Sequence, residues 1–159
     1  MADHSTHEAR AEVTAALAIM LGDTFRLYAK THGFHGNVTG LHRQSLRRMF
    51  DGQYRELRAA IDPIAERIRA LGGSTPRSLA ALAALGELAK TEGMPIDREM
   101  TRAAFNGHLT LARRARVARE AAESAGDPMT ADLMTDRLAS HENAAWMLRA
   151  QLVDEPPSA

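Results

Sequence analysis

The run from Leu41 to Leu71 does most to limit what this chain can become. Leu46, Met49, Phe50, Tyr54, Leu57, Ile61, Ile64 and Ile68 return at helical spacing along it, which lays one apolar stripe along a single long helix. Pro63 falls inside the run. A proline there removes one backbone hydrogen bond and predicts a local bend. Gly72-Gly73 ends the element.

The same period recurs three more times. The first long helix is expected over Thr6–His35, through Leu17, Met20, Leu21, Thr24, Leu27 and Tyr28, with Gly33, Gly36 and Gly40 marking its end. The third is expected over Ile96–Ser124, with Asp97 as cap and Met100, Phe105, Leu109 and Leu111 buried. Gly126-Asp127-Pro128 then supplies a break, a cap and a first-turn proline. The fourth covers Pro128–Leu152 through Leu133, Leu138, Trp146, Met147 and Leu148. Between helices two and three, Thr75-Pro76 caps and opens a short helix, Arg77–Leu88, and Thr91–Pro95 is a turn. The fold class is therefore all-α: a four-helix bundle with a short helix in the connection between helices two and three. One domain spans 1–159, with residues 1–6 and 153–159 as flexible tails.

Composition supports this reading. Ala and Leu dominate and only 4% of residues are aromatic, a mix that loses little side-chain entropy in helices. Lys+Arg and Asp+Glu balance at 20 each, so bulk charge gives no sign of a nucleic-acid partner. The absence of cysteine excludes disulfides and thiolate metal sites. No run approaches the roughly 20 apolar residues of a membrane span, and no signal peptide stands at the start. A soluble cytoplasmic protein is the expectation.

The chemistry sits on the second helix. At about 100° per residue, Arg47, Asp51, Asp62 and Glu66 share one sector among apolar neighbours. Asp62 and Glu66 are one turn apart and can grip one cation together. With the imidazole of His35 just upstream, they form a ligand set suited to iron, manganese or zinc. The spacing is also palindromic, with 47 and 51 mirroring 66 and 62. Two copies packed antiparallel across a two-fold axis would set Asp51 against Asp62 and Arg47 against Glu66, creating two shared sites at once. The alternative is a solvated face, with Asp62 and Glu66 pairing weakly with Arg58, Arg67 or Arg69. His32 and His35 at a helix end also suit its dipole.

Three stretches, L-Y-A-K-T-H-G-F-H-G-N-V-T-G, S-L-R-R-M-F-D-G-Q-Y-R-E-L and I-D-P-I-A-E-R-I-R-A-L-G-G, resemble the Dps-type miniferritins of the ferritin-like superfamily, and the run from Gly126 to Leu152 resembles that family's last helix. The resemblance covers nearly the whole chain. It implies a hollow homo-oligomer, a dodecamer in that family, that oxidises ferrous iron, preferably with peroxide, and stores ferric mineral. Carried over by position, His35, Asp62 and Glu66 match ligands from one subunit and Asp51 a ligand from its two-fold mate. Three positions depart from the pattern: Arg47 stands where a second His is usual, Gly36 where Trp is usual, and Arg43 where an aromatic is usual. Arginine stays protonated and has no lone pair for a metal. The expectation is a cage with weakened ferroxidase activity, or a catalytically silent cage in which Arg47 replaces the metal by salt bridging. Glu123, Asp127 and Asp132 match acidic residues that line the family's three-fold pores, although capping and the helix dipole explain Asp127 and Asp132 equally well. The family's DNA binding needs basic tails. The first nine residues carry no Lys or Arg and the C-terminal tail is acidic, which argues against DNA as a partner.

Overall fold

The computed structural model describes residues 2–153. Five helices follow in order: α1 (Ala2–Asn37), α2 (Arg43–Ala70), α3 (Leu79–Ala84), α4 (Asp97–Ser124) and α5 (Pro128–Val153). The four long ones form the bundle, and α3 lies in the connection between α2 and α4, as the pattern predicts.

The differences are mostly at the ends. Residues 2–6 extend α1 instead of forming a tail, and Val153 closes α5; Met1 and 154–159 lie outside the described residues. Helix α1 runs through Gly33 and Gly36 to Asn37. Two mid-helix glycines each cost about 1 kcal/mol relative to alanine, but the last turns are held by Phe34, which packs against Phe50 of α2 with ring centroids 5.7 Å apart. Gly40, at φ +81°, makes the turn. Helix α2 passes through Pro63 without interruption and ends where Gly72, at φ +90°, lets Gly73 N–H reach back to Ile68 C=O. Helix α3 is shorter than expected. Ser78, not Thr75, caps it, accepting from Ala81 N–H at 3.1 Å. Asp97 is not the cap of α4 either. Ile96 takes the cap position and Glu99 accepts its N–H at 2.9 Å, while the Asp97 carboxylate receives Thr39 N–H at 3.0 Å and ties the α1–α2 turn to α4.

Asp127 is the cap of α5, accepting Thr130 N–H at 3.1 Å and Arg67 Nη2–H of α2 at 2.8 Å. Burial works to raise its pKa, but the Thr130 hydroxyl and N–H, and then Arg67, outweigh that and hold the carboxyl below its ordinary value.

The core divides in two. One cluster joins Leu17, Met20, Leu27, Leu57, Ile64, Leu111 and Met134 with their neighbours; the other, nearer the α1–α2 turn, joins Phe34, Leu46, Phe50, Met100, Ala104 and Leu148. Leu109, Trp146 and Met147, expected inside, are exposed at 36%, 70% and 40%. Helix α5 instead buries Thr130, Met134, Arg137, His141, Ala144, Ala145 and Leu148. Trp146 is five residues beyond His141, about 140° around the helix, and so faces outward.

Asp23 of α1 fastens the connection. Its carboxylate is fully buried and accepts N–H groups from Glu87 and Leu88 at 2.6 Å each, with Arg114 Nε of α4 at 3.3 Å from the other oxygen. Arg26 and Lys30 hold the carbonyls of Ala83, Leu88 and Ala89. The two segments approach so closely that a Cβ on Gly22 would lie 2.2 Å from Gly86 N.

Candidate metal centre

His35 lies in the last full turn of α1 and Asp51 on the third turn of α2. The antiparallel pairing of these helices brings His35 Nε2 to 3.8 Å from Asp51 Oδ1. His35, Gln44, Arg47, Arg48 and Asp51 line one shallow depression. Arg55, one turn along, donates Nε–H to both Asp51 oxygens at 3.0 Å. That bond, with smaller contributions from Tyr54 and His35, keeps the Asp51 carboxyl below its ordinary pKa. The carboxylate is therefore ionised at neutral pH, and a metal would have to share its oxygens with Arg55.

Tyr54 organises the imidazoles. Its ring stacks on His32 at 4.2 Å and 10°, and meets His35 edge-on at 5.3 Å. Arg55 covers the same ring at 5.5 Å. Sequence reasoning took Tyr54 for a core residue and passed over Arg55. The signal was present, because 51, 54 and 55 are neighbours on one helical face.

Asp62 and Glu66 do not join this group within one chain. Eleven residues of helix, about 16 Å, separate Asp51 from Asp62. No three His, Asp or Glu side chains among the described residues gather closely enough to hold a metal. This redraws the grouping expected from resemblance. His35 belongs with Asp51 in one chain, and Asp62 with Glu66 forms a second pair further along α2. The carboxylates are not buried in the single chain: Asp62 and Glu66 are exposed and Asp51 is half-buried. Arg67 and Arg69, considered as partners for Glu66, bind Asp127 and Thr130, and Gly73 C=O, instead. The absence of a side chain at Gly36 leaves open space above its Cα, and Arg43 and Arg47 are exposed.

At the start of α5, the Asp127 carboxylate is taken up by capping and by Arg67. Glu123 is 3.6 Å from Arg119, and Asp132 is exposed.

Residues 14–156 match the model of the ferritin-like domain. The chain belongs to the ferritin-like family. Within it, this is a Dps-type miniferritin. It is 36% identical over 126 residues to a DNA protection during starvation protein of Brevibacillus brevis, covering 79% of this chain and 85% of the relative. It is 33% identical over 156 residues to a low temperature-induced protein of Nostoc, covering 95% and 86%. The Dps structure from Bacillus brevis superposes with a TM-score of 0.86 at 32% identity, over 91% of this miniferritin and 97% of that chain. The Dps structure from Thermosynechococcus elongatus shares the fold with a TM-score of 0.91 at 24% identity, over 95% and 96%. No helix among the described residues is long and apolar enough to cross a membrane.

Proposed function

We propose that this miniferritin is the subunit of a hollow homo-oligomeric cage, a dodecamer, that takes up ferrous iron, oxidises it with peroxide and retains the ferric product. The pairing of His35 with Asp51 carries the reading, together with the mirror spacing that presents Asp62 and Glu66 to a two-fold mate. Each site would hold ferrous iron between His35 and Asp51 of one chain and Asp62 and Glu66 of the partner subunit. One imidazole and three carboxylates are a hard donor set suited to iron. The stoichiometry is simple: one peroxide takes one electron from each of two ferrous ions and, with two protons, leaves as two waters. Glu123 and Asp132 would draw cations toward a three-fold pore by focusing the field. Asp127, committed to its cap, would not.

Arg47 sets the rate. Its guanidinium lies in the same depression as His35 and Asp51 and would face Glu66 of the partner subunit, where it competes with iron for that carboxylate. This favours slow turnover and makes the silent cage the second reading. The test is ferrous oxidation by peroxide under anaerobic conditions. Wild type should exceed the Asp62→Ala/Glu66→Ala control, and Arg47→His should raise the rate on the order of tenfold, since even an outer-shell metal partner carries that much. Wild type equal to the control would establish the silent cage; no gain from Arg47→His would clear Arg47 of blame.

A further inference from the structure

Between the two apolar clusters lies a layer of buried polar residues, contributed by every long helix: Thr31 from α1, Gln53 from α2, His108 from α4, and Arg137 and His141 from α5. Within it, His108 Nδ1 lies 3.0 Å from His141 Nδ1, and His141 Nε2 lies 3.3 Å from Arg137 Nη2. Arg137 is held from the other side by both oxygens of Glu56.

The direction of this chain of bonds follows from one fact. A guanidinium only donates, so His141 Nε2 must accept and His141 must carry its proton on Nδ1. That N–H donates to His108 Nδ1, which leaves the second proton of the pair on His108 Nε2. Both rings are neutral, and each tautomer is fixed by the neighbour before it. A proton added to His141 would turn Nε2 into a donor facing the donor Arg137. A proton added to His108 would turn Nδ1 into a donor facing the N–H of His141. Neither ring can charge without breaking the chain.

We propose that this histidine pair is an acid-sensitive bolt between α4 and α5: neutral and closed at neutral pH, and opened in acid because the unfolded chain takes up protons the bundle cannot. The inference does not depend on the iron chemistry. The surrounding charges do not relieve the pair. Helix α5 supplies Arg137, a like charge, and α2 supplies Glu56, already committed to Arg137. Helix α4 carries Arg114, six residues along from His108 and bound to Asp23 and Glu87. The other buried polar residues of α1 are the uncharged Thr24 and Thr31, and the half-buried Lys30 binds Ala89 C=O. Burial first, and then Arg137, push His108 down to about 3; burial, then His108 and Arg137, push His141 well below 6.5.

The sign is definite. Both folded values lie below the unfolded one, so the contribution is undiminished above about pH 6.5 and is lost as pH falls below it. With an unfolded value near 6.5, two such histidines lower the folding equilibrium constant about sixtyfold between pH 6 and pH 5.

Hydrogen–deuterium exchange at the imidazole C2 carbon, read by mass spectrometry on the assembled protein, titrates each histidine separately. The exposed His7 and His42 serve as references within the same sample. His108 and His141 should exchange slowly, with no midpoint between pH 5 and 8, and a normal midpoint for either would overturn the bolt. Denaturant unfolding at pH 6 and 5 gives the second readout. His108→Gln/His141→Gln should lose most of the sixtyfold drop, and a variant with the wild-type pH dependence would overturn the proposal. If that variant does not fold, the exchange titration of the wild type still decides the matter.

Discussion

Two inactive variants of this miniferritin should restore one another when co-assembled. One carries His35→Ala/Asp51→Ala and the other Asp62→Ala/Glu66→Ala. Each alone should lose peroxide-driven ferrous oxidation, because every two-fold interface would then contain only half-sites. In a mixed pair, the His35 and Asp51 of the second variant meet the Asp62 and Glu66 of the first, so one of the two sites is complete. Random pairing from an equal mixture makes half the pairs mixed, so activity should return to about a quarter of wild type. The result also tests how the ligands are divided. Had His35, Asp62 and Glu66 come from one chain and Asp51 from its mate, every site in the mixed pair would lack at least one ligand and no activity would return. Assembly of all three samples, checked by size-exclusion chromatography, separates a chemical defect from a failure to form the cage. Because the readout is a gain of activity, misfolding cannot imitate it.

How far the sequence alone reaches is clear from particular residues. The helices were legible because their apolar period was strong on α2 and α4: Leu46, Phe50, Leu57, Ile64 and Ile68 are all buried, as are Met100 and Leu111. Gly72 and Gly126 were read correctly as stops because each adopts a positive φ. Gly33 and Gly36 were misread because nothing in a glycine shows whether packing will outweigh its entropy cost. Helix α5 was misread more seriously. Its inward stripe carries Thr130, Arg137 and His141, polar residues that look like a solvent face, so its outward Trp146 was taken for core. Exposed apolar side chains such as Trp146, Val117 and Met129 fit a subunit whose outer faces are covered by copies of itself.

The sequence marked candidate residues for the site but not how the fold groups them. Spacing along one helix revealed that Asp51, Asp62 and Glu66 share a sector and that the sector is palindromic. It could not show which carboxylate the end of α1 would approach, because that depends on the register of α1 against α2, set by contacts such as Phe34 with Phe50 and His32 with Tyr54. Once that register is known, His35 falls on Asp51, while Asp62 and Glu66 stand apart as exposed residues further along α2.

The largest loss of stability from a single polar substitution is expected at Asp23. Its carboxylate is wholly buried and serves three donors at once, the N–H groups of Glu87 and Leu88 and the guanidinium of Arg114. Asp23→Ala would leave two backbone donors unpaired inside the protein and remove the partner of a partly buried cation. Each unpaired buried donor costs about 1–3 kcal/mol, and breaking a buried ion pair alone costs about 3–5 kcal/mol. Arg114 retains Glu87 and some solvent, so about 3–4 kcal/mol is expected in all. For a chain of this size that lowers the thermal midpoint by about 10 °C. Asp23→Asn keeps one carbonyl oxygen for the two N–H groups and should lose markedly less, while Arg114→Ala should fall between the two. A loss below about 1 kcal/mol for Asp23→Ala would show that water replaces the carboxylate without strain. Amide hydrogen exchange locates the effect: Glu87 and Leu88 should lose protection ahead of the bundle core, because their N–H groups are the ones that the Asp23 carboxylate holds against α1.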